Sequence, residues 1–238
     1  MKLEPKAKGA PASRPKLNAT DRRSQILTAA MEVFAEHGFH GTPTRELARQ
    51  AGVSEALVFQ HFPTKEALIS AILDHVGFED RIQMMETHLS QMPPREALLR
   101  IAEHVLTNLR DNPSTFRVVF FGLLETPHLA GEFYRKFLSR LLALETRIFE
   151  RAFEERAGGA GAGAGGVAAA GAGAGGVAAP RVDPAIVARS FHGSLMYYNM
   201  AGVIVRVEPI PQDPKAMAEA IVNLYLPDVR KGNQHGGN

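Results

Sequence analysis

The segment 41–68, GTPTRELARQAGVSEALVFQHFPTKEAL, constrains this chain more than any other. It reads as a helix, a tight turn, a second short helix and the start of a third. Thr42 is a good N-cap side chain, and Pro43 falls at a first helical position, where its missing N–H costs nothing. Leu47, Ala48 and Ala51 recur at helical spacing and form an apolar face. Gly52 supplies the turn, because glycine alone enters φ > 0 freely. Val53 plugs the angle between the helices. Ser54 caps the next helix, whose inward residues are Leu57 or Val58 and then Phe62. Two helices crossing steeply through a short glycine-containing turn make a helix-turn-helix, whose second helix can lie in a DNA major groove.

The flanks extend the pattern. Ile26, Leu27, Ala30 and Phe34 share one face of a preceding helix, which Gly38-Phe39 ends. Thr44-Arg45-Glu46-Leu47-Ala48 opens the second helix, and Ala51-Gly52-Val53-Ser54 makes the turn. His61-Phe62-Pro63-x-Lys65-x-x-Leu68 closes the unit. Over residues 22–68 this ordered set resembles the DNA-binding domain of the TetR family of bacterial transcriptional regulators. Beyond residue 70 the resemblance is one of architecture only.

A third helix in the major groove presents Glu55, Ala56, Leu57 and Gln60 to base edges, just after the Ser54 cap. Gln can pair bidentately with adenine, a carboxylate can accept from cytosine N4, and Ala or Leu can touch a thymine methyl. Arg45 can reach a guanine. For Glu55 a second reading stands, since a carboxylate in a first helical turn also favours the helix dipole. Thr42, Thr44, His61 and Lys65 cluster at helix ends expected to face phosphates, and Lys65 opens a helix whose N-terminus attracts anions. The family commonly has tyrosine at position 59. Phe59 lacks that hydroxyl and is left to pack on sugar, a thymine methyl or the core.

Charge supports this polarity. Residues 1–65 hold 10 Lys/Arg against 6 Asp/Glu, whereas the remainder holds 17 against 19. The basic start, with Lys2, Lys6, Lys8, Arg14 and Lys16, reads as a phosphate-seeking or simply solubilising arm. It leads into no apolar core, so it is not read as a secretory signal. Cysteine is absent, which removes disulfides and thiolate metal sites and fits a reducing cytoplasm. No apolar run reaches 18 residues, so no membrane span is expected.

The chain reads as all-α: a three-helix helix-turn-helix domain over 20–68, then a larger helical ligand-binding and dimerisation domain over 69–228. Residues 1–19 and 229–238 are expected to be disordered. Nine helices are expected, at about 20–37, 43–50, 55–61, 65–90, 95–110, 114–124, 129–156, 183–207 and 213–226. Gly77 is a place where the fourth kinks or ends. Residues 157–180 differ in kind. GAGAGGVAA occurs at 161 and again at 171, followed by Ala170 and Pro180. A Gly/Ala tract lacks side chains to bury and is expected to be a flexible loop.

The family resemblance implies a small-molecule pocket in the second domain, filled by an effector that changes the separation of two DNA-reading heads in a homodimer. Candidate lining residues are Met84, Met85, His88, Met92, Phe116, Phe120, Phe191, Met196 and Tyr198, with Arg117, His88 and His192 as polar anchors. Methionines adapt to irregular apolar sites, although the same stripe also reads as plain core. Ser190, Ser194, Tyr197, Ala201 and Ile204, with Ala216, Ala220 and Asn223, suggest that the last two helices form the dimer seam. The expected partners are double-stranded operator DNA, a small-molecule effector and a second copy of the chain. No cofactor or metal is expected. Against an enzyme stands the lack of a nucleophile elbow, P-loop, dinucleotide fingerprint or HExxH. A constitutive DNA-binding protein is the other alternative, and the size of the second domain speaks against it.

Overall fold

The computed structural model describes residues 18–159, 182–209 and 212–228, and helix is the regular structure found among them. The basic arm, the Gly/Ala repeat and the tail from 229 lie outside the described residues. The N-terminal unit holds α1 (Ala19–His37), α2 (Thr44–Ala51), α3 (Glu55–His61) and α4 (Lys65–Val76). It is followed by α5 (Phe78–Leu89), α6 (Pro94–Asp111), α7 (Pro113–Glu125), α8 (Pro127–Phe133), α9 (Ser139–Gly159), α10 (Pro184–Tyr198) and α11 (Pro214–Tyr225). Two π-helical segments, Tyr134–Leu138 and Asn199–Ile204, follow α8 and α10.

The chain is all-α, but three expected helices are subdivided. Gly77 adopts φ 70°, ψ 39°, a left-handed geometry that closes α4 and turns the chain into α5. The expected helix over 129–156 begins earlier, at Pro127, and changes to π geometry at Tyr134 before α9. The expected helix over 183–207 gives way to π geometry at Asn199. Proline at the first helical position starts α6, α7, α8, α10 and α11, where no N–H is missed.

Two hydrophobic cores result. Ile26, Phe34, Leu47, Val58, Phe62, Leu68, Ile69 and Ile72 join α1 to α4. This core runs past residue 68 to the end of α4 and takes in Val118 of α7 and Leu129 of α8. The second core unites α5, α6, α9, α10 and α11 around Ile82, Leu98, Ile101, Leu144, Phe149, Phe191 and Val222. Helix α7 therefore belongs to both halves: it packs on α1 and α4 and also on α6 and the second π segment.

Candidate nucleic-acid interface and internal cavity

The turn between α2 and α3 is built as its residues require. Gly52 sits at φ 63°, ψ 34°, and the Val53 N–H donates to the Ala48 carbonyl at 2.9 Å. Ser54 Oγ accepts from the Leu57 N–H at 3.2 Å and caps α3. Gln25 of α1 donates to the Ala51 carbonyl at 2.7 Å, which fixes the end of α2. Val58 is the inward anchor of α3, with Phe62 closing beneath it. The opposite face of α3 is open: Glu55, Ala56, Phe59 and Gln60 are exposed, while Leu57 and His61 are half-buried. Phe59 keeps 48% of its surface exposed, so it is not a core residue. At the start of α2, Arg45 is exposed and Thr44 half-buried. Glu55, Ala56, Phe59 and Gln60 thus share the open face of α3, and Arg45 is exposed at the start of α2.

Two expected phosphate contacts are corrected. Thr42 is neither a helix cap nor a surface group: Pro43 takes the cap position, and Thr42 is 1% exposed with its hydroxyl donating to the Gly38 carbonyl at 2.8 Å. Lys65 is half-buried, its ammonium donates to the Phe39 carbonyl, and it lies 4.8 Å from the centre of the Phe39 ring. Burial pushes its pKa down, with Glu125 and Glu66 acting against that. Lys65 braces the α1–α2 loop instead of standing ready for DNA. The same loop is held from the other side, where Glu125 at the end of α7 accepts from the His40 N–H at 2.7 Å.

The opposing faces of α7 do different work. Val118 enters the N-terminal core, and Gly122 lies so close to α4 that a Cβ there would meet Ile69 Cγ2 at 3.0 Å. Arg117 Nε donates to the Ala35 carbonyl of α1 at 2.9 Å, while one terminal nitrogen donates to the carbonyls of Val203 and Ile204 at 2.9 and 3.2 Å. Arg117 is therefore a strut between the two halves and not a ligand anchor. Phe116, Val119, Phe120 and Leu123, on the remaining face, line a cavity of about 250 Å³.

That cavity is walled largely by apolar side chains from α5 to α10, including Phe78, Met85, Val105, Phe133, Phe137, Leu141 and Met196. The polar residues Arg81, His104, Asn108, His192 and Asn199 also line it. Arg81, Met85 and His104 also border an open groove along α5 and α6. Burial lowers the His104 pKa, and Arg81 adds to the effect, which favours the neutral imidazole. Behind His192 lies Glu145, wholly buried, its Oε1 3.3 Å from His192 Nδ1 and its Oε2 unpartnered. Burial raises the Glu145 pKa, opposed by His192.

Of the expected lining residues, Met85, Phe116, Phe120 and Met196 face the cavity, as does His192. Met84 and His88 border the outer groove instead. Phe191 is pure core, packed against Phe149 and Tyr225. Met92 and Tyr198 pack against the same core and away from the cavity. The sequence reading missed Arg81, His104 and Asn108 on α5 and α6, and Asn199 at the π-helical junction. Their types carry no signal for a pocket until the helix faces are known.

Residues 26–72 match the family model described as bacterial regulatory proteins, tetR family. Over this segment the chain is similar to the DNA-binding domain of that family. The HTH-type transcriptional repressor Rv3405c of Mycobacterium tuberculosis is 38% identical over 98 residues, which is 37% of this chain and 47% of that protein. The chain thus spans about half the length of the curated relatives it matches. Among solved structures, FadR from Bacillus subtilis in complex with stearoyl-CoA superposes with a TM-score of 0.61 at 19% identity, covering 84% of this chain and 96% of that one. NalD of Pseudomonas aeruginosa, the secondary repressor of the MexAB-OprM multidrug efflux pump, gives a TM-score of 0.61 at 23% identity, over 87% and 94% of the two chains. At these identities the solved structures establish the fold.

The chain also carries an uncovered apolar stripe. Ile186, Ser190, Gly193, Tyr197 and Met200 follow one another at intervals of four and three along α10 and into the π segment. Ile186, Tyr197 and Met200 are 59%, 53% and 41% exposed, and Leu224 of α11 is 77% exposed. Several residues expected at a dimer seam are engaged within the subunit instead. Ala201 is buried within the subunit, Ser194 pairs with the Tyr225 hydroxyl at 2.7 Å, and Asn223 accepts from Arg95 at 2.6 Å. Ala216 and Ala220 remain on the surface. No helix among the described residues is long and apolar enough to cross a membrane.

Proposed function

We propose that the chain is a ligand-responsive transcriptional regulator of the cytoplasm, a repressor released from operator DNA when a small, largely apolar molecule fills the cavity. One observation carries the reading: α7 lines the cavity with Phe116, Phe120 and Leu123 and holds the N-terminal unit with Arg117, Gly122 and Glu125. A ligand that moves α7 has a direct mechanical route to α1 and to the loop ahead of α2. The exposed face of α3, with Gln60, Glu55, Ala56 and Phe59, reads bases together with Arg45. Leu57 offers its side chain to a thymine methyl, and Ser54, Thr44 and His61 set the register of α3 against the backbone. The stripe on α10 with Leu224 of α11 pairs two copies, which present two α3 helices to an inverted-repeat duplex. The stearoyl-CoA held by FadR supports the ligand-binding part of this reading.

The effector must bind the DNA-incompetent arrangement more tightly, because equal affinity shifts nothing. Compounds that raise the melting temperature identify ligands. Operator affinity is then measured with and without each one. A 5–150-fold weakening, about 1–3 kcal/mol of coupling, is expected. Operator affinity unchanged by saturating ligands of several classes would overturn the reading in favour of constitutive DNA binding.

A further inference from the structure

The cavity has one polar wall position that its own protein does not satisfy. Asn199 is 8% exposed, lines the cavity, and has a buried Oδ1 without a hydrogen-bond partner. A buried amide oxygen left this way bears the full cost of its desolvation. Glu145 also has an unpartnered oxygen, Oε2, but it stands behind His192 and does not line the cavity, and Arg117 is spent on three carbonyls. Asn199 also opens the second π-helical segment, and the first contributes Phe137 and Leu138 to the same cavity. Single π-helical turns inside α-helices recur at functional sites. Here the two converge on one space. The far end of the Asn199 segment is where Arg117 holds Val203 and Ile204.

Size and shape restrict the occupant. An apolar cavity of roughly 150 Å³ accommodates benzene. At about 250 Å³ this one suits a compact two-ring body. Five phenylalanine rings on its wall, at 78, 116, 120, 133 and 137, favour a flat, aromatic one through edge-to-face contacts.

Resting on the effector reading above, we propose that Asn199 is the polar anchor of the site and determines its specificity. The effector is then a compact, mainly aromatic molecule bearing a hydroxyl or N–H that donates to Asn199 Oδ1. A bare hydrocarbon of the same shape fills the space and leaves that oxygen unmet. A site built to bond a polar group discriminates against analogues that lack it.

The test uses the full chain and two probes of nearly equal shape, 1-naphthol and 1-methylnaphthalene. Their dissociation constants are measured calorimetrically for the native protein and for Asn199→Leu. The readout is the ratio of the two constants, which a general loss of packing does not move. The preference for naphthol is expected to fall at least about tenfold in the variant, with the hydrocarbon bound as well as before or better. Asn199→Ala is measured alongside, in case the leucine does not fit, and the same fall is expected. A ratio unchanged in both variants overturns the assignment of Asn199 and leaves the cavity as an effector site. If neither probe binds the native chain, the size and anchor assigned here are both overturned. The effector reading itself is then judged separately, by operator release with other ligands.

Discussion

Arg117 of α7 donates through Nε to the carbonyl of Ala35 in α1 at 2.9 Å, a direct side-chain bond from the cavity wall helix to the DNA-reading half. Its other end grips the π segment after α10. The guanidinium lies over Phe121, and burial lowers its pKa. One side chain thus links the cavity-bearing half, the π segment after α10 and α1 of the DNA-reading half.

Arg117→Met is expected to keep the fold and to lose about 1.5–3 kcal/mol of stability, the scale of hydrogen bonds to a charged group. Operator affinity without ligand should stay close to native. Ligand-induced release should lose most of its coupling of about 1–3 kcal/mol. Binding titrations with and without ligand check this, and full release in the variant would show that the strut transmits nothing.

Glu145→Gln tests the buried carboxyl. Its folded pKa is raised above the ordinary 4.5 by burial. Between 4.5 and that raised value the folded chain keeps a proton the unfolded chain has lost, so this group's stability contribution falls as pH rises through the window. The amide variant does not titrate. Its melting temperature relative to native should therefore increase from pH 4.5 towards pH 8, by about 2–4 °C for each kcal/mol recovered. Thermal unfolding across that range checks the sign, and a gap that narrows with pH contradicts it.

Lys65→Ala and Arg45→Ala should fail differently. Lys65 holds the Phe39 carbonyl, so its loss should lower stability by about 1 kcal/mol and leave the salt dependence of DNA binding nearly unchanged. Arg45 is exposed at the start of α2, and its loss should weaken DNA binding without altering the melting temperature. A fall of about 1 in the salt slope for Lys65→Ala would return that lysine to the phosphates.

Gly122→Ala gains up to about 1 kcal/mol of helix propensity, yet its new methyl lands 3.0 Å from Ile69 Cγ2. Overpacking of this kind costs about 1–3 kcal/mol, so the variant should be less stable than native. In an Ile69→Ala background the same change should stabilise. A double-mutant cycle by chemical denaturation measures the coupling, and additive effects would contradict the close approach of α7 and α4.

What was legible follows from where local chemistry decides. Gly52, Ser54 and the prolines that open helices act on their own neighbours, so the N-terminal unit and most helix starts could be read directly. The all-α class follows from the same periodicity. Faces were harder. Phe116, Phe120 and Phe191 are alike in sequence, yet two line a cavity and one fills the core, because only the packing of α7 and α10 fixes their directions. Lys65 and Arg117 were misjudged for a related reason. A cation near a helix end or an apolar stripe looks available until a backbone carbonyl from a distant helix arrives beside it. The π segments leave no signature in composition, and with them Asn199 went unnoticed.

The reading of α3 as a base-reading helix is tested by selecting duplexes from a random pool with the native chain and with Gln60→Ala. The native chain should enrich an inverted repeat whose half-sites lie one helical turn or more apart, about 34–36 Å per turn. Gln60→Ala should enrich the same repeat with one position in each half-site relaxed, a loss of about 1–3 kcal/mol of discrimination there. No enriched sequence from the native chain, or an identical preference from both proteins, would contradict it.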